Sequence, residues 1–466
     1  MMIKQLSNTR LRRVGVLAWL ASALLGIGLT MPVRAQRQDA NLAPAAMATE
    51  GANREDWNWH VQATKTTQRH GSFKSPYVGP NSLPPHESAK ETVDVTLFLG
   101  LRLWKGGEFY VNPEIDQGYG LAGTLGVAGF TSGGAYKVGH DSFYGRLPRA
   151  FLRQTIALGD GTSEVESGAN RLAGTRPDER LTLTLGKISV VDLFDSNRYA
   201  HDPRADFLNW SIIDGGAFDY AADSWGFSSG ATVEWVRGDW SLRGGIYAMS
   251  KMPNGETLDG KFGQRQWLIE AERRYSWMGR PGAVRLLGFA TEARMASYAD
   301  ALSQAQATGQ MPTDLAPLRR FRRKHGLAFN AEQEVGESIG AFVRYSWNDG
   351  RTEAFDFTDI NRSIATGLQV QGGLWQQPGH TLGVAFASNS LSSPARQFFA
   401  AGGVGLLVGD GRLPHYANEQ ILEAYYRVPL GRFVSVTGDY QHVRNPAYNT
   451  DRGPVSVFAL RLHAEY

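Results

Sequence analysis

The sequence predicts an all-β protein, a closed antiparallel transmembrane β-barrel of about 16 strands with short periplasmic turns and long external loops. Three observations carry this. Apolar and polar residues alternate with a period of two through most of the chain, the pattern of strands with one greasy and one wet face. Turn chemistry rich in glycine and proline recurs between these runs. After residue 35 no apolar run is long enough for a spanning helix. The last stretch, Val455 to Tyr466, shows the pattern most plainly. Phe458, Leu460, Leu462, Ala464 and Tyr466 share one face, and Arg461, His463 and Glu465 the other. In a barrel the first face would meet lipid and the second a water-filled lumen. One such strand fits a soluble sandwich equally well, so the rest of the chain has to repeat it.

Residues 1–35 read as a secretory signal. Lys4, Arg10, Arg12 and Arg13 make a basic start, Val14 to Thr30 an apolar core, and Val33-Arg34-Ala35 a cleavage site before Gln36. Its loss takes five of the 48 Lys and Arg and leaves 43 against 45 Asp and Glu. The basic balance is therefore partly a targeting effect, and no nucleic-acid partner is implied. The chain has no cysteine, which excludes disulfides and thiolate metal sites. Residues 36–56, rich in Ala, Gln and Asn, read as a flexible leader, and 57–466 as the barrel domain.

Strands then follow one another. Trp57, Trp59, Val61 and Ala63 alternate with Asn58, His60, Gln62 and Thr64. Val93, Val95, Leu97, Leu99, Leu101 and Leu103 oppose Asp94, Thr96, Phe98, Gly100, Arg102 and Trp104. Across Lys105-Gly106-Gly107, Phe109, Val111 and Ile115 alternate with Tyr110, Asn112, Glu114 and Asp116. Further hairpins pair 149–158 with 180–188 across Gly159-Asp160-Gly161 and a short insert, and 227–236 with 240–249 across Arg237-Gly238-Asp239. Others flank Gly279-Arg280-Pro281-Gly282, Gly336-Glu337, Gln377-Pro378-Gly379 and Pro429-Leu430-Gly431. Seven hairpins and an unpaired strand at each end make sixteen, which puts both termini on one side of the membrane. Long stretches at 117–145, 189–225, 296–324 and 389–418 alternate with the tight turns and read as external loops. An open sheet this wide would curl or split, whereas closure leaves no unpaired edge.

Several runs are specific rather than compositional: SPYVGPNSL (75–83), TLFLGLRLW (96–104), EFYVNPEIDQGYGLAGTLGVAGF (108–130) and RLPRAFLRQTIALG (146–159). LTLGKISVVDLFDSNRYAHDPRADFLNW (183–210), GDYQHVRNPAYN (438–449) and LRLHAEY (460–466) continue them. In these the chain resembles the carbohydrate-selective outer-membrane porins of Gram-negative bacteria. The resemblance implies a sixteen-stranded barrel that passes small sugars by diffusion, without energy coupling and without a cofactor. Residues 296–324 match no pattern of that family and read as a variable external loop.

A sugar-passing pore needs polar groups that exchange hydrogen bonds with hydroxyls, and it benefits from aromatic faces against the rings. By strand parity, Arg102, Arg149, Arg153, Arg344 and Arg427 face the lumen as planar donors, with Asp94, Glu114, Asp116, Glu270 and Glu423 as acceptors. Bases opposing acids across the lumen would set up a transverse field. The plainer alternative is that these charges pair to stiffen the wall. Tyr110, Tyr247, Phe342 and Tyr425 face inward too, either as sugar slides or as support for a folded loop. The long stretch 189–225 is the candidate constriction. Asp192, Asp195, Arg198, Tyr199, His201, Asp202 and Arg204 crowd it with charge, together with Asp206, Phe194, Phe207 and Trp210. Its length calls for a reason, which folding into the lumen supplies; an external cap packed on its own aromatics is the alternative. Its acids and His201 lack compact ligand spacing, so no metal is expected.

Other motifs lead elsewhere and are set aside. Gly226-Phe227-Ser228-Ser229-Gly230 matches a nucleophile elbow but enters a strand with no helix after it. Gly255 to Lys261 resembles a phosphate loop, but Phe262 replaces the Ser or Thr that holds magnesium. Arg319, Arg320, Arg322, Arg323 and Lys324 read as a solvated cluster at a loop end, with lipopolysaccharide sugars as a conceivable contact. An outer-membrane hydrolase would need a partner for the outward-facing His442, and the sequence shows none. An adhesive barrel would carry an external domain, and an energy-coupled transporter an N-terminal plug. A diffusion porin is the reading that remains, with small neutral sugars as solute. Its expected partners are outer-membrane lipid and lipopolysaccharide, and the barrel-assembly machinery through the last strand. A homo-oligomer is compatible with it, because lipid-facing and subunit-facing surfaces have the same composition.

Overall fold

The computed structural model describes residues 54–136 and 138–466, and the alternating runs form the strands of one closed barrel. The expected signal and the leader up to residue 53 lie outside the described residues. The first strands are β1 (Trp57–His70), β2 (Lys90–Trp104), β3 (Gly107–Gly118) and β4 (His140–Ala157). A separate two-stranded sheet follows, β5 (Thr162–Val165) and β6 (Gly174–Pro177). The wall resumes with β7 (Arg180–Ile188), β8 (Ser228–Arg237), β9 (Trp240–Ala248), β10 (Arg265–Trp277) and β11 (Arg280–Met295). It continues through β12 (Arg320–Gly336), β13 (Ile339–Asn348), β14 (Arg362–Gln371) and β15 (Thr381–Ser390). It ends with β16 (Glu419–Pro429), β17 (Val434–Arg444) and β18 (Val455–Glu465). Sixteen strands, all but β5 and β6, run antiparallel around the barrel, with β7 next to β4 and β18 closing against β1.

Closure is a backbone matter. β1 and β18 pair from Gln62 opposite Glu465 to His70 opposite Val457. Val61 N–H donates to Tyr466 O at 3.0 Å, and Tyr466 N–H donates back to Val61 O at 2.9 Å. The two strands left over from the hairpins are thus each other's partners, and among the described residues the sheet has no free end strand.

The two faces sort as a lipid-immersed barrel requires. On β18, Phe458, Leu460 and Leu462 lie on the outer surface, while Val457, Arg461 and His463 are buried inside. The same holds on β2, with Leu99, Leu101 and Leu103 outward and Asp94, Thr96 and Phe98 inward. Exposed aromatics collect at the short-turn end: Trp57 and Trp59 open β1, Trp104 ends β2, Trp240 opens β9, Trp277 ends β10, and Tyr466 follows β18. Such a ring suits the membrane interface, where amphipathic side chains sit at headgroup level. Among the described residues no helix is long and apolar enough to cross a membrane.

The connections differ from expectation in two places. The insert between β4 and β7 is not a plain loop but carries the β5–β6 sheet, paired from Thr162 opposite Pro177 to Val165 opposite Gly174. The loop placed at 296–324 ends at 319 and contains α1 (Tyr298–Thr308), capped by the Ser297 side chain on the N–H groups of Ala299 and Asp300. The basic run at its end is only in part a solvated cluster: Arg320 and Arg323 are exposed, but most of the run is paired. Arg319 pairs with Glu353 at 2.8 Å and Arg322 with Asp300 at 2.5 Å, Arg323 pairs with Glu292, and buried Lys324 lies 3.3 Å from Asp219. From Arg320 on the run belongs to β12, so alternation drives Lys324 inward and leaves Phe321 and Arg323 outside.

His442 also has a neighbour that parity alone did not show. Ser456 Oγ lies 3.5 Å from its Nδ1 on the outer wall. That hydroxyl is also 3.1 Å from the Tyr440 hydroxyl, and among the described residues no carboxylate holds the imidazole. The pair lacks the oriented base that a serine nucleophile needs.

The lipid-facing assignment of β18 is directly testable. Leu460→Arg, at the middle of the strand, should destabilise the barrel by about 2–4 kcal/mol in denaturant titrations in lipid vesicles. A loss below about 0.5 kcal/mol, as for an exposed surface site, would contradict it.

Candidate functional site

A loop that enters a barrel loses water on every side, so each buried backbone amide and carbonyl needs another partner. The inner wall supplies those partners. The loop between β7 and β8, residues 189–227, lies along the inward faces of most strands. Glu270 on β10 accepts from Asp195 N–H at 2.8 Å, and Glu332 on β12 from Arg198 N–H at 2.7 Å. Ser346 on β13 accepts from Ala217 N–H at 2.9 Å, and Asn348 donates to Ala217 O at 2.9 Å. Glu423 on β16 accepts from the N–H groups of Leu208 and Asn209 at 2.5 and 3.0 Å. Arg461 on β18 donates to the carbonyls of Pro203 and Asp206 at 2.6 and 2.9 Å.

Arg344 is the most connected of these anchors. Only 2% of its surface is exposed. Its guanidinium donates to the carbonyls of Ala200, Ile212 and Asp195 at 2.7, 2.8 and 2.9 Å, and also to that of Ile213. One planar fork thus gathers three separated stretches of the loop, a task that suits arginine's fixed donor geometry. The loop folds locally as well. Asn209 caps the short helix α2 (Trp210–Ile213) through the Ser211 N–H, and its amide donates to Gly129 O at 2.7 Å.

A second loop, between β3 and β4, packs beside the first. Glu419 on β16 accepts from Ala128 and Gly129 N–H at 2.9 and 2.8 Å, and Gly133 N–H donates to Leu208 O at 2.7 Å. Between the loops lies an aromatic stack, Phe130 on Trp210 at 5.1 Å and Trp210 on Phe357 at 5.0 Å, each inclined by 16°. The four inward aromatics act as support. Tyr425 and Phe342 hold Phe207 at 4.9 and 5.8 Å, Tyr247 holds Phe194 at 6.5 Å, and Tyr110 accepts from Leu172 N–H at 3.3 Å.

The charges form contact networks rather than two opposed walls, which replaces the expected transverse field. Arg146 on β4 bonds both Glu114 and Asp116 on β3, and its guanidinium lies 4.4 Å over the Tyr136 ring. Thr96 donates to Glu114 at 2.5 Å, and Arg204 of the loop reaches Asp94 on β2 at 2.8 Å and Glu114 at 3.6 Å. Beside this cluster Arg149 makes a two-pronged pair with Asp192, both contacts 2.7 Å. On the other side of the barrel, Arg243 binds Glu234, Glu270 and Glu272 at 2.7, 2.7 and 3.0 Å, and Arg285 binds Glu272 and Glu332 at 3.1 and 3.2 Å.

The residues singled out by parity therefore divide. Asp94, Glu114, Asp116, Glu270, Arg344 and Glu423 are buried, engaged with the loop or with each other. Arg102 ties down the chain ahead of β1, donating to Glu55 O at 2.9 Å and to Glu108 at 2.9 Å. Arg149, Arg153 and Arg427 keep part of their surface. In the loop, Asp195 and Tyr199 are buried, while Asp192, Arg198, His201, Asp202 and Arg204 are partly open. Asp195 is the loop's own organiser, accepting from Gly215 N–H at 2.6 Å and from Asn330 at 2.8 Å. Arg146 was missed because its parity is opposite to that of Arg149. A break in the β3–β4 register sets Asn112 opposite Arg149 and Glu114 opposite Arg146, so both arginines point inward. Pro148, next to Arg149, was the available signal for such a bulge. Among the described residues no group of three acidic or histidine side chains is placed to hold a metal ion.

Two expectations follow. Arg344→Ala removes a buried cation on which four loop carbonyls converge, so it should cost roughly 3–5 kcal/mol of stability and make the loop protease-sensitive. A loop as resistant as the wild type's would contradict the anchoring. The second concerns His201, outside the spanning strands. Burial, reinforced by the charge of Arg344, lowers its pKa. A neutral His201 then stabilises the fold fully above about pH 6.5, and that contribution is lost as the pH falls through the lowered value. Asp214, 3.7 Å away, is raised by burial and has the opposite sign, losing its contribution as the pH rises through its raised value. His201→Gln should therefore flatten the acid-side loss of stability between neutral pH and pH about 5. An unchanged acid limb would show that His201 carries none of it.

Comparison with known proteins agrees with this architecture. The profile of the carbohydrate-selective porin, OprB family, matches residues 81–466. Porin AaxA of Chlamydia pneumoniae is 22% identical over 293 residues, covering 62% of this chain and 56% of that porin. Porin AaxA of Chlamydia abortus is 20% identical over 368 residues, covering 76% of this chain and 70% of the relative. The structure of OprB from Pseudomonas putida superposes with a TM-score of 0.66 at 15% identity, covering 88% of this chain and 94% of that one. The family match over most of the barrel, together with the closed sixteen-stranded wall, makes this outer-membrane protein a porin, a member of the OprB family.

Proposed function

We propose that this porin passes small neutral sugars into the periplasm by passive diffusion, through a polar lumen narrowed by the 189–227 loop and its neighbour between β3 and β4. The observation that carries the reading is the cluster beside the loop. There Arg146, Arg149 and Arg204 meet Glu114, Asp116, Asp94 and Asp192, and the three guanidiniums and Asp192 keep between 12% and 26% of their side-chain surface. Three planar guanidiniums set among four carboxylates offer both halves of a hydrogen bond to a hydroxyl while most of their charge cancels. That suits a neutral polyol losing its water. The family description, carbohydrate-selective, points the same way.

Partners follow from the outer surface. The apolar band of β18 meets lipid and is the segment that the barrel-assembly machinery would read. Arg323 and Phe321, outward at the long-loop end, lie where lipopolysaccharide headgroups would be met.

Single-channel recording in planar bilayers tests the reading. Stepwise openings should close progressively as one neutral sugar is added. Arg149→Ala together with Arg153→Ala should raise the conductance and weaken that block, since both remove bulk and donors from the path. Openings that no sugar affects would leave a general diffusion pore. A double variant indistinguishable from wild type would remove these arginines from the path.

A further inference from the structure

We propose that the outer surface of β10–β14, at the long-loop end, binds lipopolysaccharide through the phosphates of its headgroup, held by Arg265, Arg294, Arg323 and Arg362. The inference rests on the outer-membrane reading, which turns the long loops outward, and gives the expected lipid partner a defined place on the wall.

The four arginines form a group by position. Arg265 opens β10 and Arg362 opens β14, Arg294 is next to last in β11, and Arg323 is the fourth residue of β12. Each shares the outward parity of its strand, with Trp267 on β10, Leu286 on β11, Leu327 on β12 and Ile364 on β14, all exposed. Register gathers them. Arg265 and Arg323 stand on either side of Glu292 in one row, and Arg294 lies opposite Phe321 in the row above. Arg362 is opposite Trp347, which in turn is opposite Leu327.

The group carries more positive charge than its surroundings cancel. Glu292 bonds both Arg265, at 2.8 Å, and Arg323. Arg265 also donates to Phe262 O at 3.1 Å. Arg294 and Arg362 are exposed, and among the described residues their side chains make no ion pair and no hydrogen bond. Asp349, just past β13, is a second acid beside the group and lies 3.2 Å from the His325 imidazole. Two carboxylates set against four guanidiniums leave two positive charges uncompensated. Exposed arginines without an ion pair also stand at the long-loop ends of β1 and β17, where Arg69 and Arg444 lie. What sets the β10–β14 face apart is the number of guanidiniums gathered in one sector, directly above an apolar band.

That band contains Trp267, Ile269, Leu327 and Ile364, and the guanidinium of Arg265 lies 5.8 Å from the centre of the Trp267 ring. Cations above aromatic and aliphatic side chains repeat the order of a lipid, charged head above chains. Guanidiniums bond phosphate oxygens with charge-assisted, often two-pronged contacts. The extent of the group selects among lipids. Neighbouring strands are about 4.8 Å apart, so β10 to β14 span about 19 Å. A phospholipid brings one phosphate and would meet one or two of these arginines. The headgroup of lipopolysaccharide carries phosphates at both ends of a disaccharide and several chains beneath it, and so fits a spread of cations over an apolar band.

The test uses the full mature porin in detergent, with binding of diphosphorylated lipid A counted by native mass spectrometry. Wild-type protein should hold lipid A, and should bind its dephosphorylated form and phosphatidylglycerol at least about tenfold more weakly. Arg294→Gln with Arg362→Gln should weaken lipid A binding on the order of tenfold, as expected for two cations lost near an anionic surface. Arg69→Gln with Arg444→Gln, which removes the same charge elsewhere on the rim, should leave it unchanged. Equal loss in the two variants would make the binding a general charge effect and overturn the site. Phosphatidylglycerol held as tightly as lipid A would overturn the assignment to lipopolysaccharide. Sugar diffusion is read separately, by the conductance of the same preparations, so its failure would leave this surface standing and the reverse holds too.

Discussion

Satisfying the backbone of a loop that has left water is the requirement on which the rest of the structure depends. The segment from Ser189 to Phe227 runs inside the barrel, and its amides and carbonyls are bonded by side chains from β10, β12, β13, β16 and β18. Buried polar groups are tolerated when each finds a partner and costly when one does not. This explains a wall whose inner face is rich in Glu, Arg, Asn and Gln, with so few of those groups in open water. Glu270, Glu419 and Glu423, each 0% exposed, accept backbone N–H groups from the two loops, the role an N-cap plays at a helix end. Arg344 does the converse with carbonyls.

The same requirement separates the charges by task. On the β8–β12 side, Arg243 and Arg285 knit Glu234, Glu270, Glu272 and Glu332 into a continuous network that bonds the wall to itself. On the β2–β4 side, the cluster around Glu114 includes Arg204 from the loop and keeps part of its surface exposed. Near the short-turn mouth, Arg153, Arg171 and Arg180 donate to backbone carbonyls, and Arg153 also lies over the rings of Tyr110 and Phe151. The inner wall is thus paired to itself on one side and partly open on the other, along β2–β4. That is also where the β5–β6 insert sits.

The barrel was legible in the sequence because a period of two is a local signal: each strand declares its faces within a few residues, and the turns between strands carry their own chemistry. The number of strands and the pairing of each hairpin followed from it, whereas for the 189–225 stretch length alone argued for an inward path, with an external cap as the alternative. The work of individual side chains was less legible. Parity places Arg344 and Glu423 inside, but only the loop that reaches them from more than a hundred residues away converts them from lumen groups to anchors. Arg146 was hidden by a register break, which shifts the facing of every residue beyond it. The basic run at 319–324 read as a loop end because five cations in six residues mask the alternation with which β12 starts. Arg171 and Arg176 sit in an insert whose docking depends on Glu55, Asn58 and Arg102, none of them near it in sequence.

The central claim, that the 189–227 loop is fastened to the inner wall, can be measured with one cross-link. The chain has no cysteine, so an introduced pair reports without interference. A Cβ on Gly215 of the loop would lie 3.4 Å from the Cβ of Ser346 on β13, close to the separation of about 3.5–4.5 Å found across disulfides. Gly215→Cys with Ser346→Cys, refolded and oxidised, should form the disulfide in nearly all molecules, and single-channel conductance should be the same before and after reduction. Cysteines that stay reduced, or a conductance that rises when the bond is broken, would show that the loop spends its time away from the wall and would contradict the account.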